Sequence, residues 1–307
     1  GSGQATFTSS TLAGGSHTIT ASYTGDSSFS SSASGSLTQT VNKGGTTTAA
    51  SSGTNPSTSG QPVTFTATVA AVAPATGTPT GNVTFNVDGV NQAPVALNGS
   101  GQATFTSSTL AGGSHTITAS YAGDSSFNTS TSPGLTQTVN KGGTTTAISS
   151  ATNPSTFGQN VTFTATVAAV APATGTPTGT MTFNGASGAP VTVPLSGGSA
   201  TFSTSPLALG PHSVTVTYNG DANFNTSSSA ALTQTVNAAG NTITFNKPPD
   251  TPFTSTPPTL NATATSGVAP TYASNSGPVC TVTSAGVITF ISAGVCSITA
   301  SQGATGN

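Results

Sequence analysis

A long internal repeat constrains this chain more than any other feature of its sequence. Residues 99–140, which begin GSGQATF and end LTQTVN, match residues 1–42 at 36 of 42 positions. A looser copy ends at residue 237, where HSVTVTYNGDANF (212–224) and LTQTV (232–236) echo the same motifs. Self-similarity at a fixed period indicates an array of similar domains.

The repeat divides the chain into four units. Residues 43–140 and 141–237 are full copies of 98 and 97 residues, residues 1–42 are the second half of a copy, and residues 238–307 differ in sequence. Because the chain begins inside a repeat and without Met, we expect it to belong to a longer protein. The short connectors 42–45 and 140–143 should hold successive domains end to end with limited bending.

Each full copy predicts short β-strands. Val63, Phe65, Ala67 and Val69 alternate with Thr, a period of two that gives one buried face and one hydroxyl-bearing face. Further strands are predicted at residues 83–87, 94–97, 102–106, 115–121 and 135–139, with a tight hairpin at residues 88–89. About seven strands in such a length favour an antiparallel β-sandwich. The alternative, a disordered Ser/Thr-rich stalk, would lack this regular apolar alternation.

The scarcity of charge excludes several classes of partner. Only 3% of the residues are charged, namely three Lys and five Asp, against about 25% in an ordinary domain. Nucleic-acid binding needs clusters of Lys and Arg, so we exclude it. No apolar run approaches the roughly 18 residues of a membrane span, so we expect no membrane insertion.

These motifs also carry a family resemblance. The run TTTAISSATNPSTFGQNVTFTATV (144–167), followed by GTPTGTMTF, HSVTVTYNGDANF and LTQTVN, resembles the bacterial immunoglobulin-like (Big) repeats. The resemblance implies tandem all-β immunoglobulin-like sandwiches, arranged as a rod, on large secreted or surface-anchored bacterial proteins that are often adhesins. It implies no catalytic residues and no cofactor. The last unit resembles another bacterial immunoglobulin-like repeat that stops before its last strand.

The last unit contains the two cysteines of the chain. Cys280 and Cys296 lie on either side of a strand-like segment at residues 287–291. An even cysteine count in a small module of secreted type predicts a disulfide, worth about 3 kcal/mol for a loop of this size. The alternative is two buried free thiols.

One tyrosine and one aspartate recur in every copy at the end of a strand. They are Tyr23 with Asp26, Tyr121 with Asp124, and Tyr218 with Asp221. We interpret each Asp as a turn residue that bonds its own backbone. The Tyr position resembles a tyrosine corner, in which the hydroxyl bonds a turn backbone. We expect these tyrosines to be core residues, together with the phenylalanines that follow them, Phe29, Phe127 and Phe224. The alternative is an aromatic ladder that binds sugars.

No group of residues in the sequence predicts a catalytic or metal site. A hydrolase triad built on His115 and Asp124 fails, because nine residues of extended chain separate them by roughly 30 Å. Metal sites need three or four converging ligands, and the His and Asp residues recur singly. We therefore expect neither a metal nor an enzymatic activity.

One loop recurs unchanged. The sequence PATGTPTG occupies residues 74–81 and again 172–179. Recent duplication explains this identity, and the functional alternative is a loop that contacts a partner module or chain. The candidate contact residues are Pro74, Thr76, Pro79, Pro172, Thr174 and Pro177.

The sequence thus predicts a non-catalytic stalk, rod or filament subunit of a bacterial extracellular or cell-surface protein. Its expected partners are neighbouring modules or other copies of itself, because the half copy would expose apolar faces that donated strands could complete. The alternatives are an adhesin-type module that binds glycans or a surface partner, and a decoration domain of a phage particle.

Overall fold

The protein is built from β-strands joined by turns. The computed structural model describes residues 3–303, and this part of the chain contains no helix, so it has no helix that could span a membrane.

The half copy forms two small antiparallel ladders. Strand β1 pairs with β4, and β2 pairs with β3. The four strands are β1 (Gly15–Ile19), β2 (Ser22–Tyr23), β3 (Ser32–Ala33) and β4 (Leu37–Val41).

Residues 43–140, which we call the first repeat, form two sheets. One has the order β11-β7-β5, and the other has the order β10-β8-β12-β14-β6, with β9 beside β8 and β13 beside β12. All pairs are antiparallel except β14 with β6. The strands are β5 (Thr46–Ser52), β6 (Ser57–Thr58), β7 (Val63–Ala71), β8 (Asn82–Val87), β9 (Val90–Asn91), β10 (Val95–Ala96), β11 (Gln102–Ser107), β12 (Gly113–Tyr121), β13 (Ser130–Thr131) and β14 (Leu135–Asn140).

Residues 141–237, the second repeat, reproduce this arrangement. The two sheets have the orders β15-β17-β20 and β16-β23-β21-β18-β19, with β22 beside β21. The strands are β15 (Thr144–Ser150), β16 (Ser155–Thr156), β17 (Val161–Ala169), β18 (Thr180–Asn184), β19 (Val191–Pro194), β20 (Ser199–Thr204), β21 (Gly210–Tyr218), β22 (Ser227–Ser228) and β23 (Leu232–Asn237). Both repeats are immunoglobulin-like β-sandwiches, as the sequence predicted.

The last unit has shorter strands and a disulfide. It contains β24 (Ile243–Thr244), β25 (Thr263–Ala264), β26 (Thr271–Ser274), β27 (Cys280–Val282), β28 (Ile288–Phe290) and β29 (Ile298–Ser301), which form three two-stranded sheets. The predicted disulfide joins Cys280 to Cys296.

The period of two places the core between the two sheets of each repeat. Val63 and Phe65 of β7 are buried while Thr64 between them is exposed. Phe65 and Phe85 both pack against Phe105, with ring centroids 6.3 and 5.7 Å apart. Burial of such a side chain contributes roughly 1.5–3 kcal/mol, so these residues are a main source of the hydrophobic stabilisation of each sandwich.

Each core also contains one buried glutamine. Gln137 is fully buried; its Oε1 accepts a hydrogen bond from Ser52 Oγ at 2.6 Å, and its Nε2 donates to Thr54 O at 3.0 Å. Gln234 makes the equivalent bonds in the second repeat. Because their polar atoms are paired, these side chains tie β14 and β23 to the opposite sheet without leaving an unsatisfied amide.

The half copy exposes the residues that the full repeats bury. Tyr23 is 44% exposed and Phe29 is 71% exposed, whereas their counterparts Tyr121 and Phe127 are 2% and 6% exposed. The interpretation of Tyr23 and Phe29 as core residues is therefore wrong within the described chain, because the strands that would cover them belong to the first half of a repeat.

Candidate functional site at the junctions between repeats

The recurring aspartate is a brace between two loops. In the first repeat Asp124 Oδ1 accepts hydrogen bonds from the backbone N–H groups of Ser126 (2.7 Å) and Phe127 (2.8 Å). Its Oδ2 accepts from both N (2.8 Å) and Oγ1 (2.7 Å) of Thr80. Asp221 makes the same bonds to Asn223, Phe224 and Thr178. The aspartate is thus a turn residue that also anchors the end of the PATGTPTG loop. We call the turns that it holds, residues 124–127 and 221–224, the brace turns.

This brace sets the ionisation of its members. Burial alone would raise the pKa of Asp124, but the hydrogen bonds from Thr80, Ser126 and Phe127 outweigh it and lower the pKa to about 2. Burial, and then the neighbouring Asp124 charge, raise the pKa of Tyr121 to about 12. The pKa of Asp221 is also lowered, to about 2, and that of Tyr218 is raised for the same reasons as Tyr121.

The tyrosine-corner prediction is wrong in one respect. The hydroxyl groups of Tyr121 and Tyr218 are buried and make no hydrogen bond of good geometry. Each lies close enough to the carboxylate of its brace aspartate to respond to that charge, and the backbone of Thr178 also acts on the pKa of Tyr218. The ring, more than the hydroxyl, accounts for the burial of this side chain.

In the half copy the brace is incomplete. Asp26 Oδ1 accepts hydrogen bonds from the N–H groups of Ser28 (2.7 Å) and Phe29 (2.9 Å). The counterpart of Thr80 is missing, since residues 3–42 contain no copy of that loop. Asp26 therefore holds its own turn but anchors no second loop.

Sequence reasoning missed an ion pair in the first repeat. His115 Nδ1 lies 2.6 Å from Asp88 Oδ2, and His115 Nε2 lies 2.9 Å from Ala111 O. Because both ring nitrogens face acceptors, the imidazolium form satisfies both contacts. Burial would lower the pKa of His115, but the Ala111 carbonyl and Asp88 outweigh it and raise that pKa; the His115 contact lowers the pKa of Asp88.

The ion pair does not assemble a catalytic or metal centre. His17 Nε2 contacts Ala13 O at 2.7 Å, and His212 Nε2 contacts Ala208 O at 2.7 Å. Each of these histidines therefore contacts a backbone carbonyl just before its own strand. Among residues 3–303 no three His, Cys, Asp or Glu side chains converge as metal ligands.

The connectors are part of the sandwich that follows them. Lys43 Nζ donates to Asp124 O, Gly44 N donates to Ser126 O at 2.8 Å, and Asn128 N donates to Gly44 O at 2.9 Å. The connector before the second repeat makes the same contacts through Lys141 and Gly142. Each connector is therefore fixed to the brace turn of its own repeat.

The preceding unit packs directly on this brace turn. Gly112 N donates to Asn223 Oδ1 at 3.0 Å, and a Cβ added at Gly112 would lie 2.7 Å from Ala222 O. Gly14 of the half copy approaches the first repeat in the same way, since its Cβ would lie 2.6 Å from Ser125 O. The same close approach therefore occurs at two successive junctions.

One candidate contact loop touches the neighbouring repeat. Thr174 Oγ1 donates to Gly60 O at 2.8 Å, and Thr174 N lies 3.4 Å from Ser59 O. Its counterpart Thr76 is exposed, as are Pro74 and Pro172. The other two candidates, Pro79 and Pro177, are buried and thus unavailable for contact.

The last unit contains an open groove of about 800 Å³. Phe245, Leu260 and Phe290 line its floor, and an ion pair between Lys247 Nζ and Asp250 Oδ1 (2.7 Å) lies at its rim. The groove brings together no pair of groups suited to catalysis.

Comparison with known proteins gives a family match for both full repeats. Residues 48–140 and 148–237 each match the family model described as bacterial Ig-like domain (group 3). No curated protein sequence matches the chain.

Among solved structures, the chain is similar to the fibronectin(III)-like modules of CbhA from Clostridium thermocellum, with 14% identity, 62% of this chain and 94% of that chain covered, and a TM-score of 0.24. It is also similar to two adhesins. FdeC of Escherichia coli has 16% identity, 63% and 64% coverage and a TM-score of 0.25. InvE of Yersinia pseudotuberculosis has 16% identity, 62% and 58% coverage and a TM-score of 0.33. The chain thus spans less than two thirds of each adhesin structure. Because the two family matches together cover more than half of its residues, the chain belongs to the bacterial Ig-like domain (group 3) family.

Proposed function

We propose that this chain is a non-catalytic structural segment of a large bacterial extracellular or cell-surface protein, in which successive sandwiches form a stalk or rod. The observation that carries this proposal is the repeated junction: Gly14 and Gly112 each pack on the brace turn of the next repeat. A connector that is hydrogen-bonded into the following sandwich limits bending, and limited bending is what a stalk requires.

The chemistry of the chain supports an extracellular role. The disulfide between Cys280 and Cys296 is of a kind that persists in oxidising compartments. The surface is rich in Thr and Ser and has few groups that titrate, with a formal net charge of −2. Such a surface changes little with the pH and salt of the surroundings.

We further propose that the functional units are residues 1–42, 43–140, 141–237 and 238–307. The half copy is then an acceptor for strands that come from outside residues 1–42, either from the same chain or from another copy. The exposure of Tyr23 and Phe29 supports this proposal, because the first half of a repeat covers the equivalent residues Tyr121 and Phe127.

Electron microscopy of the native protein that carries this chain tests the structural role. We expect linear rows of domains, or filaments with a regular domain repeat. Domains clustered without linear order would contradict the proposal. A screen of glycans and surface proteins covers the alternative role as a binding module, and specific binding through the loops of the repeats would favour that alternative.

A second experiment tests completion of the half copy. Placing a second copy of residues 43–98 directly before Gly1 would create a whole repeat, because residue 1 corresponds to residue 99. We expect residues 3–42 to become resistant to protease, while a scrambled segment of the same composition gives no protection. For the unmodified chain, light scattering then separates the two sources of strands: a monomer whose half copy is already protected would exclude completion by another copy.

A further inference from the structure

The two repeats differ at the positions that face the next unit. Where the first repeat has Ser59 and Gly112, the second repeat has Phe157 and Leu209. The half copy, which also precedes a repeat, has glycine at the position of Gly112, namely Gly14. Small residues therefore occur where a repeat follows, and large apolar residues occur where the unit of different sequence follows.

The geometry explains why Gly112 must be small. A Cβ at this position would already be 2.7 Å from the carbonyl oxygen of Ala222, a separation that real Cβ atoms essentially never show. That oxygen belongs to the backbone of the brace turn, so no side-chain movement relieves the contact. A leucine at this position would push the second repeat away and would break the hydrogen bond from Gly112 N to Asn223 Oδ1.

The second contact of the junction has the same requirement. Ser59 is 4% exposed, and the turn that it forms with Gly60 meets Thr174. A Cβ at Gly60 would lie 2.5 Å from Thr174 O and 2.9 Å from Thr174 N. A phenylalanine in place of Ser59 would add a ring to this closely packed turn.

The equivalent surface of the second repeat is open. Phe157 is 38% exposed and Leu209 is 37% exposed. A Cβ added at Gly158, the counterpart of Gly60, would meet no atom within 4 Å. The last unit therefore does not pack on this surface in the way that the second repeat packs on the first.

We propose that these positions form a specific joint that determines which unit docks downstream. The small pair Ser59 and Gly112 accepts the upstream face of another repeat of the same kind, made of Thr174, Ala222 and Asn223. The pair Phe157 and Leu209 excludes such a repeat, so the second repeat ends the array. This inference deepens the proposed stalk function and rests on it, since a joint of fixed geometry is what stiffens a stalk.

The recurring PATGTPTG loop is also part of this joint. Duplication accounts for the identity of residues 74–81 and 172–179, but Thr174 additionally contacts the turn of the preceding repeat. Thr76 would make the same contact with a repeat placed before it. The partner that fits the Thr76 loop is therefore a turn equivalent to Ser59–Gly60.

Exchange of the two pairs tests the joint in the full chain. The variant S59F/G112L gives the first repeat the residues of the second, and the matched control F157S/L209G makes the reverse change where no repeat follows. Spin labels on T104C and T201C, at equivalent exposed strand positions, report the distance between the repeats by pulsed electron spin resonance.

We expect one narrow distance distribution for the labelled wild type and for F157S/L209G. For S59F/G112L we expect a distribution that is roughly twofold broader or shifted, because domains without a fixed interface move relative to each other. An unchanged narrow distribution in S59F/G112L would overturn the proposal, as would a broad distribution in the wild type.

A second pair of variants, at two equivalent glycines, distinguishes loss of the joint from misfolding of a repeat. Gly60 and Gly158 occupy the same turn with φ of 79° and 84°, so alanine imposes the same local strain at both. We expect G60A to speed hydrogen exchange of the Gly112 amide by about tenfold, beyond any loss of protection of the β5 and β7 amides, which should equal the loss that G158A causes in β15 and β17. A change at the Gly112 amide no larger than that of the β5 and β7 amides would refute the proposed joint. These measurements test only the contact between the repeats. If they contradict the joint while electron microscopy shows linear rows of domains, the joint is refuted and the proposed stalk function is not.

Discussion

Replacing Asp124 by asparagine should destabilise the first repeat at neutral pH and should have little effect near pH 2. Asparagine keeps one oxygen that can accept the bonds from Ser126 and Phe127. Its amide nitrogen cannot accept the two hydrogen bonds that Thr80 donates to Oδ2. The substitution therefore releases the PATGTPTG loop while it leaves the turn in place.

The magnitude follows from the ionisation of the carboxyl group. Its pKa falls from 3.8 to about 2, and each unit of pKa corresponds to about 1.4 kcal/mol. That sets an upper bound of roughly 2.5 kcal/mol, which solvent screening reduces to about 1 kcal/mol because Asp124 is partly exposed. Since the folded pKa is lowered, this contribution is present above pH 4 and is lost as the pH falls through 2.

Native-state hydrogen exchange of the full chain measures this loss in each repeat separately. In D124N the strand amides of the first repeat should exchange about fivefold faster at pH 7, as about 1 kcal/mol requires. The control D26N should change exchange in residues 3–42 by much less, because Asp26 anchors no second loop. Equal protection of D124N and wild type at pH 7, or a difference that persists unchanged at pH 2, would refute the reasoning.

Three further outcomes are expected. Reduction of the disulfide should destabilise the last unit by about 3 kcal/mol, measured by denaturation, and should change the mobility of the chain on a non-reducing gel. Y121F should change the free energy of unfolding by less than about 1 kcal/mol, because the Tyr121 hydroxyl has no hydrogen-bond partner of good geometry. Y272F should lower it by about 1 kcal/mol, because the substitution removes the acceptor of the Ala262 N–H. Urea unfolding of the two variants measures both changes. D88N should lower the pKa of His115 measured by nuclear magnetic resonance, and the stability that this histidine adds should be present below pH 6.5 and lost as the pH rises through its raised folded pKa.

Local patterns in the sequence predicted the elements that depend on neighbouring residues. The alternation along Val63–Ala71 predicted that strand and its buried face, and Asp88-Gly89 predicted the hairpin between β8 and β9. In that turn both residues have positive φ, 50° and 87°, as a type I′ turn requires. The strand Thr46–Ser52 was missed because Thr, Ala and Ser give only a weak contrast between buried and exposed positions.

Contacts between distant segments could not be predicted in this way. His115 and Asp88 are 27 residues apart and meet because β8 and β12 are neighbours in one sheet. The pairing of Thr174 with Gly60 depends on how one repeat docks on another. A comparison of the copies could have revealed the joint, because Gly14 and Gly112 share a position at which the second repeat has Leu209.

The half copy keeps the strand register of a full repeat although it lacks the strands of the first half. Strand β1 pairs Gly15 with Val41, and β12 pairs Gly113 with Val139 in the same register. However, β12 continues to Tyr121 along β8, whereas β1 ends at Ile19. The hairpin sequence therefore fixes the register by itself, while strand length and burial of the apolar face require strands from the first half of a repeat. Residues 15–41 thus already have the register of a finished sandwich, whereas residues 4–9, the counterpart of β11, form no strand, so a complementary segment that docks there would still have to order them.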